Sequence, residues 1–225
     1  MRGITVVGLG PGRAGLITRE AWQVMEKAHR LILRTRIHPT VAALDAAGIR
    51  YVTFDDRYEA AEGFEMLYAG IADELVRLAE GEAIVYAVPG SPLVAERTVV
   101  LLRERAAAAG VPLTILPGMS FLEALYVRLG IDPIAGLTIL DAEDEAALVA
   151  PPSHALVITQ VYDARIASDV KLALMEHFDD AYEIVYIHNL ALPDESIRRI
   201  PLYALDRQPD VDYLTSVFVP ARAKK

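Results

Sequence analysis

The sequence predicts an α/β protein of two domains. Three observations carry that reading. Apolar runs of strand length alternate with amphipathic helical stretches through the first half, which predicts a parallel sheet covered on both faces. In the second half strand patterns outnumber helices and follow one another closely, which predicts antiparallel pairing within a mixed sheet. Three glycine–proline turns, Gly8-Leu9-Gly10-Pro11-Gly12, Val88-Pro89-Gly90-Ser91-Pro92 and Pro117-Gly118-Met119-Ser120, each close an apolar run. Ligands bind at the carboxyl edge of open α/β sheets, so the three turns together predict one pocket built from three loops.

The elements follow in order. Residues 4–9 form a short buried-strand pattern, and 18–28 a helix with Thr18 placed as its N-cap. A second strand pattern covers 30–35, a short helix 40–47, and a third strand 51–54. Phe64, Leu67, Tyr68, Ile71, Leu75 and Leu78 recur at helical spacing, so 63–80 is an amphipathic helix. The fourth strand is 83–88, a long helix covers 93–109 up to Gly110, and the fifth strand is 113–116. A domain boundary is expected near Pro117, giving an N-terminal domain of residues 1–116 and a C-terminal one of 117–225. Beyond it, 121–129 and 166–178 read as helices, and 137–141, 155–161, 183–187, 197–201 and 213–219 as strands. The acidic run 141–145 reads as a solvated loop and helix start.

Composition limits the function. Hydrophobic residues make up 53% of 225, enough for a sizeable core, and no apolar run approaches the ~18 residues of a membrane span. The chain enters a strand pattern at once, so no signal peptide is expected, and with no cysteine a cytoplasmic protein without disulfides or thiolate metal sites is expected. A net charge of −9 argues against a nucleic-acid partner. The group Arg30, Arg34, Arg36 and His38 reads as a solvated face or as a local seat for an anion. The five histidines lack metal-ligand spacing, so no metal is expected.

Individual motifs discriminate weakly. Gly10-Pro11-Gly12-Arg13-Ala14-Gly15 matches G-x-G-x-x-G. The second strand, however, ends in Leu33-Arg34-Thr35-Arg36 rather than in the acidic residue a ribose would require. Arginine there leaves an NADP reading open, although Pro11 removes an N–H that a phosphate cradle would use. Gly118-Met119-Ser120 begins like a nucleophile elbow but lacks the second glycine, so Ser120 reads as a helix N-cap completed by Glu123 in a capping box.

Taken together, the three turns, with Leu16-Ile17-Thr18, resemble the tetrapyrrole (corrin/porphyrin) methylase family in order and spacing over essentially the whole chain. Arg34-Thr35-Arg36-Ile37-His38-Pro39, Ala95-Glu96-Arg97-Thr98-Val99 and the ending 214–220 are most similar to the methylase-like N-terminal domain of proteins fused to a MazG-type nucleoside triphosphate pyrophosphohydrolase. The resemblance implies a Rossmann-like N-terminal sheet, a mixed-sheet C-terminal domain, S-adenosylmethionine bound in the cleft between them, and a homodimer. It implies a methyltransferase acting on a small-molecule acceptor, such as a corrin or porphyrin precursor. The alternative is a catalytically weak adenosylmethionine-binding module that regulates an attached or partner MazG-type pyrophosphohydrolase. The implied cofactor-binding residues are Val88, Gly90, Ser91 and Val94 in the second turn, and Ser120 and Phe121 in the third. In the second domain they are Val161, Tyr162, Asn189, Leu190, Thr215 and Ser216; Pro11 borders the acceptor side. Many methylating members carry aspartate where this chain has Ser91. Methyl transfer needs alignment more than acid–base chemistry, so no catalytic residue is assigned. Tyr162, Asp163 and Glu96 are the candidates should a base be required.

Overall fold

The computed structural model describes residues 2–59 and 63–222. It divides into two compact units, Met1–Ala124 and Leu125–Lys225. In the first, β1 (Gly3–Gly8), β2 (Leu31–Leu33), β3 (Val52–Thr53), β4 (Ala83–Val88) and β5 (Leu113–Ile115) form one sheet in the order β3-β2-β4-β1-β5. All its pairings are parallel. The connections are α1 (Arg19–Glu26), α2 (Val41–Ala46), α3 (Asp55–Glu59), α4 (Phe64–Ala79) and α5 (Arg97–Ala109), followed by α6 (Phe121–Leu129).

Alternation along the strands explains why both faces are covered. Ile4, Val6, Ile84, Tyr86 and Val88 pack with Ile71, Leu75, Val99 and Leu102 of α4 and α5. Val7, Leu9, Leu31, Leu33 and Ala87 pack with Ala21, Met25 and Leu44 of α1 and α2. A strand sends successive side chains to opposite faces, so a parallel strand with helices on both sides must be apolar throughout.

In the second unit β6 (Leu137–Asp141), β7 (Ala155–Thr159), β8 (Glu183–His188), β9 (Ser196–Pro201) and β10 (Thr215–Val219) form a sheet in the order β6-β7-β10-β8-β9. Only β6 and β7 pair in parallel; the other pairings are antiparallel, as the closely spaced strand patterns predict. Short α7 (Glu145–Leu148) starts within the acidic run, and α8 (Ala164–Met175) packs Ile166, Val170 and Leu174 onto Leu156, Ile158, Ile184 and Val217.

Several boundaries differ from the sequence expectation, and four of the differences have a local cause. The units divide inside α6 rather than at residue 117, because the 117–120 turn is held by the first unit: a Cβ on Gly118 would lie 2.9 Å from Pro92 Cδ and 3.5 Å from Gly8 Cα. Helix α5 starts at Arg97, not at 93, since Ala95 takes a left-handed φ of 52° and Glu96 caps the helix. Strand β7 stops at Thr159 because Gln160 turns to φ 63°. Helix α8 starts where Asp163 accepts a hydrogen bond from the Ile166 N–H at 2.8 Å.

Candidate functional site

The chain leaves β1 towards β2 on one side of the sheet and leaves β4 towards β5 on the other. The adjacent carboxyl ends of β1 and β4 therefore form a switch point, where open α/β sheets bind ligands. The first two glycine–proline turns lie there. Gly10 and Gly90 form an isolated antiparallel bridge, with Gly10 N–H donating to Gly90 O at 3.1 Å and Gly90 N–H to Gly10 O at 3.0 Å. Two positions explain the glycines. A Cβ on Gly8 would stand 2.3 Å from the Gly90 carbonyl oxygen, and Gly10 adopts φ +72° with the Leu16 carbonyl 2.7 Å from where its Cβ would be. The third turn closes against both, so the three loops meet as the sequence predicts.

The segment 34–40 latches these loops. Thr40, fully buried, offers its hydroxyl to Leu9 O (3.1 Å) and Gly12 O (3.0 Å), and His38 bonds to the Gly10 backbone. Thr35 Oγ1 and the Arg36 N–H both donate to Asp55, at 2.5 and 2.9 Å. Arg34 reaches Glu96 Oε2 at 3.2 Å, and Glu96 Oε1 accepts from the Thr98 hydroxyl and N–H at 2.5 and 3.3 Å. The Glu96 side chain is 3% exposed. Burial opposes the Arg34 charge, but Glu96, followed by Tyr58, Tyr86 and Tyr68, outweighs it and raises the pKa.

The basic group is accordingly dispersed: Arg30 pairs with Glu82 at 2.9 Å, Arg34 with Glu96, and His38 is drawn inward. Burial, then the Arg34 charge, lowers the His38 pKa to about 4, against an opposing bond to Gly10. The unfolded chain takes up this proton first. Stability is therefore fully present above pH ~6.5 and falls as pH drops towards 4, by up to ~3 kcal/mol. Urea midpoints at pH 7, 6 and 5 should fall for the parent and stay flatter for His38→Asn; parallel curves would refute this account of His38.

The NADP reading meets two obstacles. The glycines lead into a 3₁₀ turn (Ala14–Leu16), and α1 begins only at Arg19, capped by Thr18 Oγ1 at 3.2 Å. No α-helix N-terminus therefore faces a phosphate at the glycines, and Glu96 already offsets much of the Arg34 charge that a doubly charged 2′-phosphate would call on. Two candidate bases are also committed: Glu96 to Arg34 and Thr98, and Asp163 to capping α8. Among the described residues, no group of three or more His, Asp or Glu side chains is placed to hold a metal ion.

The implied cofactor residues fall into two groups. Half-buried Pro11 lies in the first turn, buried Val88 ends β4, and Gly90, at φ +65°, has nothing within 4 Å of where a Cβ would project. Ser91 and Val94 are half-buried and joined by Val94 N–H to Ser91 O at 3.2 Å. Ser120 is a cap: its Oγ accepts from Leu122 N–H at 3.1 Å, and Glu123 takes both Ser120 N–H and the hydroxyl at 2.7 Å. The predicted capping box is present, which leaves the Ser120 hydroxyl serving the helix; Phe121 is half-buried at its start.

In the second unit, β10 runs antiparallel to β7 and β8, so its first residues lie beside their carboxyl ends. This edge gathers buried Val161 and half-buried Tyr162 after β7, buried Asn189 and Leu190 after β8, and buried Thr215 and half-buried Ser216 on β10. Thr215 Oγ1 accepts from the Asp212 N–H at 3.0 Å. Asn189 Nδ2 donates to Asp194 at 2.6 Å, while its buried Oδ1 has no partner among the described residues. Gln160, Asn189 and Ala191 all adopt positive φ on this edge. Such strain in residues other than glycine gathers at ligand sites. Of the three, only asparagine is a residue type that tolerates this conformation well, so only Asn189 carried a sequence signal.

A family model described as Tetrapyrrole (Corrin/Porphyrin) Methylases matches residues 3–206. The uncharacterized protein YabN of Bacillus subtilis (strain 168) is 43% identical over 217 residues, covering 96% of this chain; the chain spans 44% of YabN. Uroporphyrin-III-C-methyltransferase from Thermus thermophilus superposes with a TM-score of 0.75 at 23% identity, over 98% of this chain and 93% of that one. A Thermus thermophilus structure of the enzyme complexed with S-adenyl homocysteine gives a TM-score of 0.71 at 20% identity, over 97% and 92%. These superpositions establish a shared fold.

Proposed function

Since the chain belongs to the tetrapyrrole (corrin/porphyrin) methylase family, we propose that it is an S-adenosylmethionine-dependent methyltransferase acting on a small-molecule acceptor. The observation that carries the proposal is the Gly10–Gly90 junction at the switch point, where three loops meet and nothing among the described residues lies within 4 Å of where a Gly90 Cβ would project. The residues present suit the cofactor. The open side of Gly90 lets a ligand approach backbone closely. The buried Asn189 Oδ1, without a partner among the described residues, is an acceptor suited to an adenine amino group or a ribose hydroxyl. When bound, the cofactor supplies a methyl carbon that its sulfonium has already made electrophilic. The protein has then to hold the acceptor in line with that carbon and to exclude water, which the tightly bonded loops are built to do. Homodimerisation and a cytoplasmic setting are part of this proposal and rest on the family likeness. No helix among the described residues is long and apolar enough to cross a membrane.

A second reading has its own support. Ser91 offers a neutral hydrogen bond where a carboxylate would pair with the cofactor's ammonium group, and the chain spans under half of YabN. A cofactor-binding module that regulates an attached or partner MazG-type pyrophosphohydrolase would combine those features. Calorimetry with S-adenosylmethionine and S-adenosylhomocysteine tests both readings, which expect saturable binding; no heat at millimolar ligand would refute both. Methyl transfer from labelled cofactor to an acceptor separates them.

A further inference from the structure

Two buried donors near the carboxyl edge of the first sheet have no partner among the described residues: the Arg34 Nε–H and the Tyr58 hydroxyl. Buried polar groups are nearly always paired, so each orphan calls for an explanation. Arg34 uses one Nη on Glu96, and its side chain is 23% exposed although its Nε is buried. Tyr58 lies within electrostatic reach of Arg34, and burial raises its pKa to about 12, leaving the hydroxyl protonated and able to donate.

The surroundings are aromatic. The Tyr58 ring meets Tyr68 edge-on with centroids 6.3 Å apart, and Tyr68 stacks on Phe64 at 5.9 Å. Phe64 is 67% exposed. A ligand that satisfies both orphan donors brings lone pairs to a guanidinium, which is the chemistry of a carboxylate or a phosphate. A ligand that covers the exposed ring is flat. Glu96 already balances most of the arginine charge, so the seat suits one anionic group rather than several. Glu96 directly follows the Gly90 loop and His38 binds Gly10, so the seat adjoins the loops assigned to methyl transfer.

We infer that Arg34 and Tyr58 hold the anionic group of the methyl acceptor, and that the acceptor is a small flat molecule bearing a single carboxylate or phosphate. The inference rests on the methyltransferase reading and adds a substrate class to it. Arg34 and Tyr58 bind the acceptor and take no part in the bond change.

The test is a calorimetric titration of the chain saturated with S-adenosylhomocysteine. The probes are 4-hydroxybenzoate for the carboxylate arm and uridine 5′-monophosphate for the phosphate arm, with phenol and uridine as their uncharged counterparts and uroporphyrin as a polycarboxylate. One charged probe is expected to bind at least about tenfold more tightly than its counterpart. Tyr58→Phe is expected to weaken that probe by about three- to tenfold, and Arg34→Gln by more. Tyr58→Phe removes only an unpaired hydroxyl and should fold like the parent, so the test stands even if Arg34→Gln, which strands Glu96, does not fold.

Equal binding of charged and uncharged probes would overturn the inference, as would an unchanged affinity in Tyr58→Phe. Tighter binding of uroporphyrin than of either probe would overturn the single-anion class. If the parent failed to bind S-adenosylhomocysteine, the methyltransferase reading would fall, and the same titrations without cofactor would still decide whether the anion seat exists.

Discussion

Replacing Gly8 by alanine is expected to destabilise the N-terminal unit by about 3 kcal/mol and to weaken S-adenosylhomocysteine binding at least tenfold. The added methyl would stand 2.3 Å from the Gly90 carbonyl oxygen and 3.0 Å from Pro92 Cδ. The nearer atom is backbone, and Gly90 is fixed by two hydrogen bonds to Gly10, so relief must come from opening the bridge itself. In a chain of this size such a cost lowers the melting temperature by about 6–12 °C. Gly15→Ala is the matched control. Gly15 closes the G-x-G-x-x-G pattern, yet nothing lies within 4 Å of its added Cβ and its φ is ordinary, so that variant should melt and bind like the parent. Equal effects of the two substitutions would mean that the crowding at Gly8 does not hold the loops in place.

Glu96→Ala is expected to cost about 3 kcal/mol or more, because it leaves the largely buried Arg34 charge without its carboxylate. It also removes the α5 cap and the acceptor of the Thr98 hydroxyl, which itself lies 3.1 Å from the Tyr86 hydroxyl. The loss should not add to that of Arg34→Met. In a double-mutant cycle followed by urea denaturation, the pair should show a coupling of about 2 kcal/mol, since the second substitution removes the stranded partner. Additive losses would mean that the ion pair contributes nothing beyond its separate members.

The outline of the fold was legible in the sequence because its signals are local. Strand–helix alternation up to residue 116 gave the parallel sheet, and the spacing of Leu67, Ile71 and Leu75 marked a helix whose core face the structure confirms. The three-loop junction was legible because glycine and proline declare turns. The latch was not. Arg34 and His38 read as a basic group and Glu96 as a helical position and candidate base, since pairing between residues 62 positions apart in the chain leaves no periodic trace. The late start of α5 was hidden for a related reason: Ala95 has no side-chain preference for the left-handed turn it makes, and the loop conformation is imposed by contacts. The left-handed Gln160 and Ala191 were equally silent, whereas Asn189 belongs to a residue type that tolerates the conformation.

The central claim is the proposal that S-adenosylmethionine is bound by the glycine–proline loops of the first unit and by the loops at the carboxyl edge of the second unit's sheet, each considered by itself. Amide hydrogen exchange of the chain with and without saturating S-adenosylhomocysteine tests it most directly. The account predicts slowed exchange in residues 8–12, 89–95, 160–162 and 189–191, with little change elsewhere. Slowed exchange confined to other surfaces, such as the ~760 Å³ groove lined by Leu148, Val149, Leu172 and Glu176 between α7 and α8, would contradict it.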